Sequence, residues 1–238
     1  MKRLIRQRRP LVIGHRGYPR RETENTVPSL IRALEVGVDG VEVDVRLTGD
    51  GVPVIFHDRD LSRMAGIPAA VEEMPLSAVR EVSLRGGGTV PTLEEVLDVV
   101  AGRVLINMEV KTPGGWRECV SLLERKRYGG PFLFSTFHLE DLEALTKAHP
   151  SCHRALLTRE GGRGVVEAAR RLGCVSLHVK KGAVTGDLVA ASHAAGLFLL
   201  AYTVNEEEEY DRFVQMGVDG FFTDDPGEMV SWKRSRRR

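Results

Sequence analysis

Residues 11–58, LVIGHRGYPRRETENTVPSLIRALEVGVDGVEVDVRLTGDGVPVIFHD, hold the pattern from which the rest of the chain is read. An apolar run, LVIG, delivers His15 and Arg16 into a turn, and a helical pattern opens at Thr26. VEVDV then places Glu42 and Asp44 two residues apart, and VIF leads to His57. Side chains two apart on a strand share a face. Glu42 and Asp44 therefore point one way while Val41, Val43 and Val45 point the other, as expected for a strand with helices on one side and a functional centre on the other. Such an arrangement suits a divalent cation.

Outward from this stretch, short β-branched apolar runs alternate with helical patterns to the end of the chain, the signature of repeated βα units around a parallel sheet. Strands are predicted at 11–15, 41–45, 104–110, 132–136, 154–158, 174–179, 197–203 and 220–223. Helices are predicted near 26–36, 92–101, 115–127, 139–148, 163–172, 186–195, 206–216 and 226–232. Eight such units in 238 residues predict a single-domain (β/α)8 TIM barrel, a fold of about 250 residues; a doubly wound open sheet is the alternative. Residues 52–91 read as a small insertion over the barrel mouth. Within it VPVIFHD (52–58) forms an antiparallel flap reached through the turn TGDG, and 58–91 is an excursion without a convincing core pattern.

Composition is that of an ordinary globular protein, 42% hydrophobic and 28% charged, which excludes disordered and fibrous classes. Cys119, Cys152 and Cys174 are too scattered for a zinc site or a disulfide framework. No apolar run nears the roughly 20 residues of a membrane span, and no apolar region follows the charged start, so a cytoplasmic location is expected. The net charge of +1 hides an asymmetry. The segments 1–10 and 233–238 carry five basic residues each and no acid, which leaves 24 basic against 33 acidic residues between them. These basic tails read as solubilising ends, and no nucleic-acid partner is expected.

GHRG (14–17), ENT (24–26), GVDGVEVDV (37–45), VIFHD (54–58), PTLEEVL (91–97), MEVK (108–111), YTVN (202–205) and GVDGFFTDDP (217–226) together resemble the glycerophosphodiester phosphodiesterase family, in the expected order over nearly the whole chain. Two positions depart from the family pattern. Thr23 stands where proline usually precedes ENT, and Tyr202 where tryptophan is frequent. The resemblance implies a metal-dependent barrel enzyme that splits glycerophosphodiesters, such as glycerophosphocholine and glycerophosphoethanolamine, into sn-glycerol 3-phosphate and an alcohol.

The residues themselves lead to a compatible chemistry. Glu42, Asp44 and Glu109 offer hard oxygen ligands for one Mg²⁺ or Ca²⁺. Arg16 and Lys111 are the expected phosphate partners, the first as a bidentate guanidinium and the second as a point charge. His15 and His57 are the expected proton-transfer pair, acid and base in either order. The nucleophile is water or the substrate's own glycerol hydroxyl. Glu24 is a fourth ligand or an orienting group, and Asn25, Tyr202 and Asn205 are further candidates at strand ends. His178 and Lys180 are at most minor contacts at the mouth. TDDP (223–226) reads first as a helix N-cap whose acids are not metal ligands, and Asp224 falls with the other polar residues at the strand ends of one face. Two alternatives remain open: a lysophospholipase D-like activity, and a barrel that only binds phosphodiesters or anionic polymers. The sequence does not address oligomeric state.

Overall fold

The computed structural model of the protein describes residues 10–236. In chain order its strands are β1 (Leu11–Gly14), β2 (Gly40–Leu47), β3 (Pro53–Ile55), β4 (Asp60–Leu61), β5 (Ile67–Ala70), β6 (Leu105–Val110), β7 (Phe132–Thr136), β8 (Arg154–Thr158), β9 (Ser176–Lys180), β10 (Phe198–Tyr202) and β11 (Gly220–Thr223). All except β3, β4 and β5 pair in parallel in the order β1-β2-β6-β7-β8-β9-β10-β11, and β11 returns to β1, closing the ring. Helices Val27–Val36, Leu93–Val100, Trp116–Arg125, Leu139–Ala148, Arg163–Arg171, Gly186–Ala194, Glu207–Met216 and Pro226–Ser235 follow the barrel strands in turn. The (β/α)8 barrel expected from the sequence is the observed fold.

Alternation along the strands sorts the core into two layers. Val12, Val41, Val43, Ile106, Phe134, Leu177 and Phe221 pack outward against helix residues such as Leu30, Leu97 and Phe213. Leu11, Ile13, Leu105, Leu133, Ala155, Leu200 and Phe222, all from strands, fill the interior. Each such large apolar side chain contributes roughly 1.5–3 kcal/mol on burial, so the ring is held from both sides.

The tetrapeptide GVDG occurs twice, at 37–40 and 217–220, and does the same work in both places. Gly37 (φ 86°) and Gly217 (φ 84°) end a helix in the left-handed conformation that a Cβ disfavours. The aspartate then accepts a hydrogen bond from the backbone of a neighbouring strand, Asp39 Oδ2 from Val12 N at 2.7 Å and Asp219 Oδ2 from Leu199 N at 2.7 Å. Strand entry and strand pairing are thereby set by one motif at the start of β2 and again at the start of β11.

The segment 52–91 differs from expectation in one respect. β3 does pair antiparallel with β2, with Val45 opposite Ile55 and Leu47 opposite Pro53. Beyond it, however, the chain has a core of its own: Val54, Phe56, Leu61, Met64, Val71, Val79, Val82, Leu84 and Val90 form a separate buried cluster. It is built from β4 and β5, helices Ser62–Ala65 and Leu76–Arg80, and a single 3₁₀ turn. Elements of two to five residues are too short to show a period of 2 or 3.6 in sequence, which is why the core was not visible there.

The C-terminal basic stretch also departs from a loose tail. Helix Pro226–Ser235 runs into it, Lys233 Nζ lies 2.6 Å from Asp39 Oδ2, and Arg236 reaches both Asp211 and Glu207. Residues 1–9 and 237–238, the remainder of the predicted tails, lie outside the described residues. Among the described residues no helix is long and apolar enough to cross a membrane.

If the excursion core is coupled to the fold, Leu61→Ala should destabilise the protein by about 2–5 kcal/mol in urea unfolding. A cost below about 0.5 kcal/mol, the scale of an ordinary surface substitution, would show that the cluster contributes nothing.

Candidate active site

The register between β2 and β6 sets Asp44 opposite Glu109 and Glu42 opposite Asn107. Because Val41, Val43 and Val45 take the helix-facing side, the acids face the interior. One oxygen from each of Glu42, Asp44 and Glu109 lies within 4.8 Å of the others. The three are 2%, 0% and 9% exposed, so water does little to screen their mutual repulsion.

Asp44 is the best supported of the trio. Its Oδ2 accepts a hydrogen bond from Asn25 Nδ2 at 2.8 Å and lies 3.1 Å from Arg16 Nε, while its Oδ1 lies 3.0 Å from Lys111 Nζ. Burial opposes ionisation, but Lys111 and Arg16 outweigh it and hold Asp44 well below the usual carboxylate range. Glu42 is poorer in partners. Its Oε2 accepts from the Arg16 backbone at 3.0 Å, and its Oε1 is buried without any hydrogen-bond partner. Burial and the adjacent Asp44 charge push it up to about 8. Burial and Asp44 likewise raise Glu109, although Lys111 contacts it directly.

Three buried carboxylates thus face two cations, and two of their buried oxygens, Glu42 Oε1 and Asp44 Oδ1, have no hydrogen-bond donor. An all-oxygen donor set with a deficit of positive charge fits a hard divalent cation such as Mg²⁺ or Ca²⁺ rather than zinc. Glu24 stands outside this trio. Its Oε1 takes Arg16 Nη1 at 2.8 Å and Arg63 Nη2 at 2.6 Å, so it orients Arg16 rather than adding a fourth carboxylate.

The turn that presents His15 and Arg16 is tightly built. Arg16 and Asn25 both have positive φ, 56° and 57°, a conformation costing about 1–2 kcal/mol for a residue with a Cβ, less for asparagine. Gly17 (φ +89°) cannot be replaced without strain, because a Cβ there would fall 2.4 Å from Ser29 Oγ. That hydroxyl donates to Arg16 O at 2.9 Å and accepts from Tyr18 N at 2.7 Å, tying the turn to helix Val27–Val36.

Each histidine is oriented by a carboxylate to which the sequence assigned no role in the chemistry. His15 Nδ1 is 2.7 Å from Asp224 Oδ1, and His57 Nδ1 is 2.7 Å from Asp58 Oδ1. With Nδ1 engaged, Nε2 is the nitrogen left for chemistry. Burial would lower the His15 pKa, but the Asp224 hydrogen bond and the Glu42 charge outweigh it, so His15 is raised from 6.5. The N-cap in TDDP is Asp225, whose side chain accepts from Glu228 N at 3.1 Å; Asp224, one residue earlier, belongs to the site. The only sequence signal for Asp58 is its place beside His57.

The remaining candidates hold other groups in place. Asn25 Oδ1 accepts from Asp44 N at 3.2 Å, completing a two-point grip with its Nδ2. Asn205 does the same for Asp224: Nδ2 donates to Oδ2 at 2.8 Å and Oδ1 accepts from the Asp224 backbone at 2.9 Å. Tyr202 donates its hydroxyl to Thr158 O at 2.9 Å and lines the pocket. His178 does not reach the mouth. It is fully buried on Phe222 beside Ser176 Oγ, and burial lowers its pKa to about 3. Lys180 is exposed at the end of β9.

His15, Arg16, Glu42, His57, Glu109 and Lys111 line one pocket with Phe137, Leu157, Arg159, Tyr202 and Phe222. It sits at the C-terminal ends of the strands, where barrels of this kind carry their chemistry. Phe137 and Arg159, from the loops after β7 and β8, carried no motif in the sequence.

Residues 15–228 match the model of the glycerophosphoryl diester phosphodiesterase family. The chain is 30% identical over 237 residues to a glycerophosphodiester phosphodiesterase of Caldanaerobacter subterraneus subsp. tengcongensis, covering 94% of this chain and 98% of that relative. Among solved structures it resembles a phosphodiesterase of Oleispira antarctica in complex with the product sn-glycerol-3-phosphate, with 31% identity, a TM-score of 0.87 and coverage of 96% and 98% of the two chains. A glycerophosphodiester phosphodiesterase of Thermotoga maritima gives 29% identity and a TM-score of 0.82 over 93% and 97%.

The proton held by Glu42 has a measurable consequence. A free glutamate loses its proton near 4.5, whereas Glu42 keeps it to about 8, and His15 is also raised. The folded state therefore binds more protons than the unfolded state through this interval, and stability falls as pH rises from about 5 to 8. In EDTA the Tm should decline over that range, and excess Mg²⁺ or Ca²⁺ should flatten the decline by replacing the proton. A Tm in EDTA that is constant or rising from pH 5 to 8 would contradict this account of the carboxylate cluster.

Proposed function

The chain belongs to the glycerophosphoryl diester phosphodiesterase family and is a glycerophosphodiester phosphodiesterase; from that premise we propose that it hydrolyses small glycerophosphodiesters with a divalent cation held by Glu42, Asp44 and Glu109 and with His15 and His57 moving the protons. The observation that carries this proposal is the pair of imidazoles on one pocket wall system, each with Nδ1 tied to a carboxylate, beside a buried three-carboxylate cluster.

When bound, a cation of this kind supplies Lewis acidity and neutralises charge on a phosphoryl group. The chain's own groups do the rest. Arg16 and Lys111 face the pocket and supply positive charge for the phosphodiester. One histidine takes the proton of the attacking oxygen through Nε2 as the new P–O bond forms; the other gives a proton to the leaving alkoxide as the old bond breaks. Asp224 and Asp58 keep both rings in the tautomer this requires and stabilise the imidazolium that forms. Asn205 fixes Asp224, and Arg63 fixes Asp58 from helix Ser62–Ala65. We place the insertion 52–91 over the barrel mouth on the strength of that Arg63 contact and its second one to Glu24.

A second substrate class is favoured by one observation. A groove whose apolar lining is Leu139, Leu156, Leu157, Val165 and Ala168, with Thr158, Arg159 and Glu160 as its polar members, borders the pocket and shares Phe137, Leu157 and Arg159 with it. It offers an apolar surface to the acyl chain of a lysophospholipid. Comparing glycerophosphocholine with lysophosphatidylcholine, each with Mg²⁺ or Ca²⁺ and with EDTA, separates the two classes. Turnover of the deacylated diester, abolished by EDTA, is the expected result.

His15→Ala and His57→Ala should each lower kcat by about 10²-fold or more with cation binding retained in calorimetry. Glu42→Gln and Asp44→Asn should abolish cation binding itself. Full turnover in either histidine variant would refute the proton-transfer assignment.

A further inference from the structure

The cations around the pocket are not equivalent. Arg16 is engaged by Glu24 and Asp44, and Lys111 by Asp44 and Glu109. Arg159 differs: among the described residues its guanidinium has no carboxylate partner, and its contact is the ring face of Phe137, 4.9 Å from the centroid. It is nevertheless placed with care. Thr158, the preceding residue, is the acceptor for the Tyr202 hydroxyl, so the start of the loop after β8 is pinned to the end of β10. The Arg159 charge is felt at that hydroxyl, where it opposes the burial that pushes Tyr202 up to about 12. Phe137 in turn meets Tyr202 edge to face at 6.5 Å.

An unpaired guanidinium on the wall of a pocket already equipped for one phosphodiester is a second anion position. The same geometry works against a quaternary ammonium. Such groups are recognised by aromatic faces, and here a face of Phe137 is already covered by the Arg159 cation, which repels another.

We propose that Arg159 is a specificity-determining residue that favours glycerophosphodiesters carrying a second anionic group on the arm that lies along Phe137 and Tyr202, and disfavours those whose arm ends in trimethylammonium. This rests on the phosphodiesterase activity proposed above. Arg159 takes no part in proton transfer or in holding the cation, so its effect is on substrate binding and is read in KM more than in kcat.

The test compares kcat/KM for glycerophosphoinositol 4-phosphate and glycerophosphocholine in the unmodified chain, Arg159→Gln and Arg159→Glu. Because Arg159 is exposed, neither substitution disturbs the core. The unmodified chain should prefer the phosphate-bearing diester. Arg159→Gln should reduce that preference about fivefold, the scale of a solvent-accessible ion pair worth about 1 kcal/mol, and Arg159→Glu should reverse it. A ratio that changes less than twofold in both variants overturns the assignment of Arg159 while leaving the hydrolase intact. Absence of turnover of every diester by the unmodified chain, with Mg²⁺ or Ca²⁺ supplied, removes the proposed reaction itself, and the specificity proposal with it.

Discussion

The structure depends on keeping Asp44 ionised at the end of β2 with no exposure to solvent. An isolated buried carboxylate is costly, and the surrounding residues are arranged to offset that cost. Asn25 grips it at two points, Arg16 and Lys111 stand against its two oxygens, and Arg16 is itself steadied by Glu24. These groups come from β2, from the end of β6 and from the turn after β1. They meet because β1, β2 and β6 are neighbours in the ring. A slip of one residue in the β2–β6 register would turn Asp44 toward the helices and bring Val43 or Val45 into the pocket, so the valines that pack the outer layer also aim the acids.

Asp44 meets both cations and shares Lys111 with Glu109, which leaves the trio, and Glu42 above all, short of positive charge. That deficit makes the site receptive to a dication and leaves Glu42 protonated in its absence. The same competition explains the histidine supports. His15 and His57 need anionic partners to hold their tautomers, yet each added carboxylate worsens the surplus of negative charge. Asp58 meets Arg63, which continues to Glu24 and so to Arg16. Asp224 meets Asn205, a neutral residue that donates to the carboxylate and accepts from its backbone. His57 is thus wired through a chain of charges that crosses the 52–91 insertion, and His15 through an uncharged clamp at the closing strand.

Legibility in the sequence follows the range over which each feature is determined. The barrel was readable because eight strands and eight helices each carry a local period, and Glu42 with Asp44 because a spacing of two fixes their face. Glu109 and Lys111 were found by the same rule on the next strand. Asp224 could be put on the right face by its strand end but not given a role, because TDDP holds two adjacent acids and local chemistry assigns only one of them. Asp225 caps the helix, while Asp224 acquires its role from His15, 209 residues away, once β11 closes on β1. Arg63 sits on a four-residue helix and Arg159 on a loop, neither long enough to show a period, and their partners are set by packing alone. His178 shows the opposite failure: a histidine at a strand position that looks available turns out to be enclosed, because the alternation that brings its neighbours outward carries it into the interior against Phe222.

Closure of the ring links the ends of the chain to the chemistry in a way that composition conceals. Asp39, in the first GVDG, accepts from the backbone of Val12 and also meets Lys233 from the last helix. The last helix is therefore anchored where β1 and β2 begin, while at the other end of the same strands Asp224 meets His15. The basic residues near the C-terminus are absorbed by acids of the body, Lys233 by Asp39 and Arg236 by Asp211 and Glu207. Exposed pairs of this kind contribute little each, but the partly buried Lys233 contact bridges residues 194 positions apart. The buried cluster, left short of positive charge, is the part of the body's acidity that is placed where a substrate can exploit it.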